Sequence, residues 1–361
     1  MRLKFEVIPY TLHFTFTAGT SRGSFTEKET WLIKAYDPSR PEKIAWGEAG
    51  PLKGLSEDYS ENFESNLTSL INQIQNTEIP ESQEDILNFI SEQVPANLPS
   101  IRFSLETVLL DYIHGCQFKI FDNQFHLGKK RLPINGLIWM GEEAFMQEQI
   151  EKKLKDGFNT IKMKIGAIDF DTEFRLLESI RQNYSAHEIT LRVDANGAFD
   201  ESNVRERLED LASLEIHSIE QPLKPGNWNS MAELCEEGIL PIALDEELIG
   251  IHSLRDKKMM LDVIKPQYII LKPSLVGGIK SCQEWITLAE SRGIGWWMTS
   301  MLESNIGLNA IAQFTAEYEN LLPQGLGTGQ LYHNNFESPL EIRKGELLYN
   351  VPKGWDLSNL V

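Results

Sequence analysis

Six ionisable residues recur through the middle of the chain at an interval that invites a chemical reading. Lys162 and Lys164 stand in TIKMKIG, Asp194 in LRVDANG, Glu220 in HSIEQPL, Asp245 in PIALDEEL and Lys272 in YIILKPS. Each lies at the end of a short apolar run, and successive ones are about one strand-plus-helix unit apart. Three carboxylates with no histidine or cysteine beside them suit a hard divalent cation with oxygen ligands, and three protein oxygens leave room for water and substrate, as at Mg2+ sites. Without a cation they would repel one another and take up protons. A lysine near a second ammonium and a divalent cation, in a partly desolvated cavity, is expected to have a lowered pKa and to offer a neutral amine as general base. A hard Lewis acid beside such a base suits proton abstraction α to a carboxylate, where negative charge develops on the carboxylate oxygens.

Each residue alone has a plainer explanation. Asp194 could start the turn Ala-Asn-Gly, Glu220 could be solvated at a strand exit, and Asp245 with Glu246 and Glu247 looks like a helix N-terminus. Lys272 could be a solvated strand tip. What those explanations do not predict together is the repetition. In TIKMKIG the polar and apolar residues alternate with a period of two, so both lysines share one face and Met163 takes the other.

The elements that would position these residues are strands alternating with amphipathic helices from Leu132 onward. INGLIWM, TIKMKIG, ITLRVDANG, HSIEQPL, PIALDEEL, YIILKPS and IGWWMTS read as strands. EEAFMQEQIEKKLKDG, FDTEFRLLESIRQNY, NVRERLEDLASL and IKSCQEWITLAESRG read as helices. A repeat of about 25 to 30 residues implies βαβ units and a parallel barrel of the (β/α)8 type or a close relative, with every strand end on one face. An open doubly wound sheet would need a Gly-rich phosphate turn, and NGLIWMGEE offers none.

The flanks differ. Residues 1–128 read as an α+β module with strands near residues 2–8, 11–17, 29–36 and 44–48 and helical spacing in residues 57–93 and in IRFSLETVLLDYIHG. TAGTSRGSFTEK is too long for a tight hairpin and reads as a plain loop or as a lid near residues 18–26. Residues 129–330 form the barrel, and residues 331–361, with LEIRKGELLYN, return to the first module.

Composition narrows the partners. With 41% hydrophobic and 24% charged residues the chain is globular, and a net charge of −19 argues against nucleic acid or an anionic membrane. No apolar stretch reaches the roughly 18 residues of a membrane span, and MRLKFEVIPYTLHFTF alternates like a strand and not like a signal peptide. Cys116, Cys235 and Cys282 are few, odd in number and far apart, which suits a reduced cytoplasmic protein.

The K-x-K pair, the D-A-N-G and I-E-Q-P strand ends, the L-D-E turn and the L-K-P strand, in that order, resemble the enolase superfamily and its muconate-lactonizing-enzyme-like group. GEAGPLKGLS at residues 47–56 is similar to that group's capping-domain turn. The resemblance implies a modified (β/α)7β barrel under an α+β capping domain, with Asp194, Glu220 and Asp245 holding Mg2+, for which Mn2+ could substitute. It makes Lys164 the acid/base, Lys272 the lysine on the opposite face of the substrate and Lys162 a charge near the substrate carboxylate.

TSMLESNIGLNAIAQF and GLGTGQLYHNNFESPL resemble the o-succinylbenzoate synthase branch. This implies syn dehydration of 2-succinyl-6-hydroxy-2,4-cyclohexadiene-1-carboxylate in menaquinone synthesis. Dipeptide epimerases and N-succinylamino acid racemases share the machinery. The epimerases usually carry an Asp-x-Asp at the last strand, and LPQGLGTGQLY has no acid. That favours a small-molecule substrate with a second carboxylate, for which Thr299, Ser300, the amides of Gly327, Thr328 and Gly329, and Arg22 are the expected partners. A non-catalytic binding barrel would be expected to have lost some of the ring, and none of it is missing. Whether the chain forms an oligomer is not readable.

Overall fold

The computed structural model describes residues 1–20 and 23–360. Three strands, β1 (Lys4–Thr20), β2 (Gly23–Asp37) and β3 (Arg40–Ala49), form an antiparallel sheet in chain order. The two strands expected at residues 2–8 and 11–17 are one continuous strand with a register shift between His13 and Ala18. The segment TAGTSRGSFTEK is likewise not a long loop. Its ladder continues through Ala18 to Phe25, Gly19 to Ser24 and Thr20 to Gly23, so the expected loop or lid is a two-stranded hairpin whose extreme tip lies outside the described residues. Threonine and phenylalanine on either side of the glycines favour extended backbone and hold the pairing. Gly19 also bridges Met140, and a Cβ there would stand 2.6 Å from the Met140 carbonyl oxygen, so only glycine lets the hairpin lie this close.

Helices α1 (Phe63–Ile74), α2 (Gln83–Gln93) and α3 (Pro99–Ile113) complete this module. From Pro99 to Asp111 nearly every residue of α3 is buried, because the helix is covered on one side by β3 and on another by the barrel.

The barrel begins after β4 (Leu132–Pro133) with β5 (Gly136–Ile138), followed by α4 (Glu143–Lys155), β6 (Thr160–Lys164), α5 (Phe170–Asn183), β7 (Thr190–Asp194), α6 (Val204–Ser213) and β8 (Ser218–Glu220). It continues through α7 (Trp228–Glu237), β9 (Ile242–Leu244), α8 (Leu254–Ile264), β10 (Tyr268–Leu271), α9 (Pro273–Val276), α10 (Gly278–Glu290), β11 (Gly295–Met298) and α11 (Asn305–Thr315). Strands β5 to β11 pair in parallel in chain order. Parallel bridges from Gln324 to Ile134 and from Gly325 to Thr299 join the two edges, so an eighth extended segment closes the ring. Side-chain caps at Asp169, Asn227, Ser253 and Ser304 start four of the helices, each accepting a backbone N–H of the first turn. Below the strand ends, Arg192 lies inside the barrel 4.0 Å over the ring of Trp297.

The final strands β12 (Leu340–Arg343) and β13 (Glu346–Tyr349) pair with each other and β13 pairs with β4, while the stretch before them bridges the first sheet from Tyr332 to Phe14. Beyond them Trp355 stacks on Phe118 with ring centroids 4.0 Å apart. Among the described residues no helix is long and apolar enough to cross a membrane.

Candidate active site

Strand register brings the six ionisable residues together. Lys164 is paired with Asp194 and Asp194 with Glu220 across β6, β7 and β8, while Glu220 is paired with Ala243, two residues before Asp245 on the next strand. Residues two apart share a face, so all these side chains enter the barrel at its C-terminal mouth. β6 and β10 are the second and sixth of eight segments, and Lys164 and Lys272 therefore enter from opposite walls.

The contacts are tight. Lys162 Nζ donates to Asp194 Oδ2 at 3.0 Å and to Glu220 Oε2 at 2.7 Å. Lys164 Nζ donates to the same Asp194 oxygen at 3.0 Å and to Asn196 Oδ1 at 2.9 Å, and Asn196 Nδ2 donates to Glu246 Oε1 at 3.0 Å. Lys272 is hydrogen-bonded to Asp245. Asp194, Glu220 and Asp245 are at most 2% exposed.

Burial and neighbours set the protonation. Burial disfavours every charge here, yet the three lysines outweigh it at Asp194 and hold its carboxyl well below the usual range. At Glu220 burial and the adjacent Asp194 carboxylate prevail over Lys162 and push the carboxyl well up. Lys162 and Lys272 are shifted as well. Burial opposes their charge, but Asp194 and Glu220 around Lys162, and Asp245 and Glu220 around Lys272, raise both above the ordinary lysine range. With only protein charges present, the carboxylates outweigh the neighbouring ammonium, since Lys162 opposes the charge of Lys272 and does not prevail.

That donor set bears on the expected metal. Among the described residues no three His, Cys, Asp or Glu side chains form a cluster able to hold a metal as they stand. The lysine ammoniums occupy their oxygens instead. Two observations nonetheless fit a hard cation. Glu220 Oε1 is buried with no hydrogen-bond partner, and burial followed by repulsion from the Asp194 and Asp245 carboxylates raises Glu220.

Above the ring is a cavity of about 340 Å³ whose lining includes Lys162, Lys164, Asp194, Asn196, Glu246 and Lys272. Phe16 and Phe25 of the hairpin, Leu52 and Leu55 of the segment after β3, and Trp139 form apolar walls. Thr299, Ser300, Gly327 and Thr328 line it as well. The hydroxyls are already engaged: Thr299 Oγ1 donates to the Gly325 carbonyl at 2.8 Å, and Ser300 Oγ and Thr328 Oγ1 share a hydrogen bond at 2.5 Å. Gly329 is not part of that lining. Arg22 lies outside the described residues.

A family model described as enolase C-terminal domain-like matches residues 145–355. The chain belongs to the enolase superfamily. It is similar to the o-succinylbenzoate synthase of Desulfotalea psychrophila, 45% identical over 357 residues that cover 93% of this chain and 96% of the relative. The crystal structure of MenC from that organism aligns with a TM-score of 0.86 at 42% identity, over 96% of this chain and 100% of the other. The L-Ala-D/L-Glu epimerase of Bacillus subtilis is 25% identical over 284 residues, 77% of this chain and 75% of the relative.

The capping sheet and (β/α)7β barrel are thus the enolase-superfamily fold that the resemblance implied. Sequence reasoning passed over two polar residues of the site, Asn196 and Glu246. Both stand inside motifs that were singled out, D-A-N-G and L-D-E-E, where they read as turn and helix-start residues. The signal available was position: Asn196 is two residues beyond Asp194, and it takes up a left-handed φ of 44° that aims its amide back at Lys164. Asp245 does stand at a helix start, but of a three-residue 3₁₀ turn only, and its side chain makes no cap there.

Proposed function

We propose that this chain is an o-succinylbenzoate synthase, converting 2-succinyl-6-hydroxy-2,4-cyclohexadiene-1-carboxylate to 2-succinylbenzoate by syn dehydration. The observation that carries the reading is a relative of that name, 45% identical over nearly the whole chain. Lysines on opposite walls of one cavity support it. Lys164 removes the proton from the carbon α to the ring carboxylate. The C–O bond to the hydroxyl on the neighbouring ring carbon then breaks, the ring becomes aromatic, and Lys164 returns its proton to the hydroxyl on the same face, so water leaves. Lys272, held by Asp245, remains an ammonium on the far side and stabilises the negative charge of the deprotonated ring, and Lys162 adds positive charge near the carboxylate.

Asp194, Glu220 and Asp245 would hold Mg2+, or Mn2+ in its place, which supplies Lewis-acid stabilisation of charge on the carboxylate. The eighth segment lines the cavity with Gly325, Gly327, Thr328 and Gln330 and presents no acid there to pair with a substrate ammonium. That wall suits a succinyl tail better than a dipeptide. Three free cysteines fit a reducing cytoplasm.

A second reading is supported by the same lysines. Bases on opposite faces are what inversion of an α-carbon needs, so racemisation of N-succinyl amino acids or epimerisation of dipeptides is the competing activity. The test is turnover of the cyclohexadiene carboxylate with Mg2+, run beside deuterium exchange at the α-carbon of L-Ala-L-Glu and of N-succinyl amino acids. Dehydration with little exchange is expected. Exchange without dehydration would overturn the assignment.

A further inference from the structure

A cluster of charges is buried where the capping sheet meets the barrel. Lys28 on β2, Glu48 on β3 and Glu303, just before α11, are at most 3% exposed. Lys28 Nζ donates to the Leu302 carbonyl at 3.0 Å, and the Tyr332 hydroxyl donates to the same oxygen at 2.7 Å. Leu302 has a φ of 61°, a left-handed conformation that costs a branched side chain energy and persists only where its surroundings impose it. Glu48 accepts from Ser304 N at 2.8 Å and Gly307 N at 2.9 Å, fixing the start of α11 to the sheet.

Glu303 ties the remaining pieces together. Its Oε1 accepts from Ser274 Oγ at 2.5 Å, on the turn that follows Lys272, and its Oε2 accepts from Met301 N at 2.6 Å, in the loop whose residues Ser300, Met301 and Leu302 line the cavity. The positive charge of Lys28 faces both carboxylates from the capping sheet. We infer that Glu303 is a positioning residue that sets the spacing between Lys272 and the Ser300–Leu302 wall, and that Lys28 makes this spacing depend on the seating of the capping sheet. Two walls of one cavity thereby move as a unit. This rests on the reading of Lys272 and the 300–302 loop as parts of the reaction site. Displacing a reacting group by about 1 Å can cost about a hundredfold in rate, so the clamp should show in kinetics as well as in stability.

The ties can be cut singly. Ser274→Ala releases the Lys272 turn and is expected to lower kcat about fivefold or more while leaving KM within about twofold. Lys28→Met releases the Leu302 carbonyl and should raise KM about fivefold or more with a smaller change in kcat. Glu303→Leu fills the space without acceptors and should lower kcat by about thirtyfold or more, and Glu303→Gln, whose amide can keep both bonds, should recover most of that loss. Hydrogen exchange, read in the same samples without substrate, should quicken in residues 272–276 and 299–303 together in Glu303→Leu, and in residues 272–276 alone in Ser274→Ala. A wild type inactive on every substrate of the panel would sink the functional assignment, and the exchange pattern would still decide the clamp. Unchanged exchange in either segment of Glu303→Leu, or folded Ser274→Ala and Lys28→Met with kcat and KM both within twofold of wild type, would overturn it.

Discussion

Replacing Lys164 by alanine removes the proposed proton carrier, and the structure sets what that should cost. A positioned general base contributes about 10² to 10⁴ in rate. At about 1.4 kcal/mol per tenfold this is about 3 to 5.5 kcal/mol of barrier. The folded state should lose much less. Lys164 gives up hydrogen bonds to Asp194 at 3.0 Å and Asn196 at 2.9 Å, but Asp194 keeps Lys162 at 3.0 Å and the Asn196 backbone N–H at 3.1 Å. The buried carboxylate is never left bare, so the stability change should stay near the about 1.5 to 3 kcal/mol of a charged hydrogen bond. Lys164→Arg separates charge from proton transfer, because a guanidinium retains a cation beside Asp194 yet does not deprotonate near neutral pH. Both variants should fold with Mg2+ present, and both should lose at least a hundredfold in kcat for the cyclohexadiene carboxylate, with Lys164→Arg nearer to wild type in urea stability. Initial rates at saturating substrate and urea midpoints measure the two effects separately. Turnover by either variant within tenfold of wild type would refute the assignment of Lys164 as the base.

Two further outcomes follow from the ring and from α3. Mg2+ at a hundred times its dissociation constant should stabilise the wild type by about 2.7 kcal/mol, seen as a rise in melting temperature reversed by a chelator. Glu220→Gln should lose most of that rise, and an equal rise in both would exclude Glu220 as a ligand. Glu106, fully buried at the start of α10, where Ile279 N and Lys280 N donate to it, is pushed by burial from an ordinary 4.5 up to about 8. Between those values the unfolded chain carries an ionised Glu106 and the folded chain a protonated one. The unfolded state then binds fewer protons, and stability falls as pH rises from about 5 to about 8. In urea titrations at pH 5.5 and 8, wild type should lose at least about 1 kcal/mol relative to Glu106→Gln. A constant difference would show that Glu106 is ionised throughout.

What could be read from the sequence divides by how local its cause is. TIKMKIG announces a strand with both lysines on one face because period-two alternation is a property of five consecutive residues, and β6 spans those residues. Helix α5 runs from Phe170 to Asn183, within the segment FDTEFRLLESIRQNY that reads as a helix, and the Asp169 side chain caps it. The ring follows from such local elements plus one rule, that parallel strands end on a common face. The charged partners were not readable in the same way. That three lysines would close on three carboxylates, raising Lys162 and Lys272, depends on distances between β6, β7, β8, β9 and β10 that no single strand encodes.

The walls that distinguish one substrate from another lie further still from local pattern. Phe16 and Phe25 occupy strands whose alternation is that of any half-exposed hairpin, and distant contacts such as Gly19 with Met140 and Phe16 with Trp139 bring them over the barrel mouth. Lys28 and Glu303 look like surface charges in sequence and are buried against each other's modules. A residue's type states what it can do when buried, and the partner that buries it can be hundreds of positions away. Proton-transfer chemistry on this fold is therefore written at strand ends, where spacing exposes it. If the proposed site is right, substrate choice falls to the place where the capping sheet meets the barrel, so variants of Phe16, Phe25 or Lys28 should act on KM before they act on the proton transfer itself.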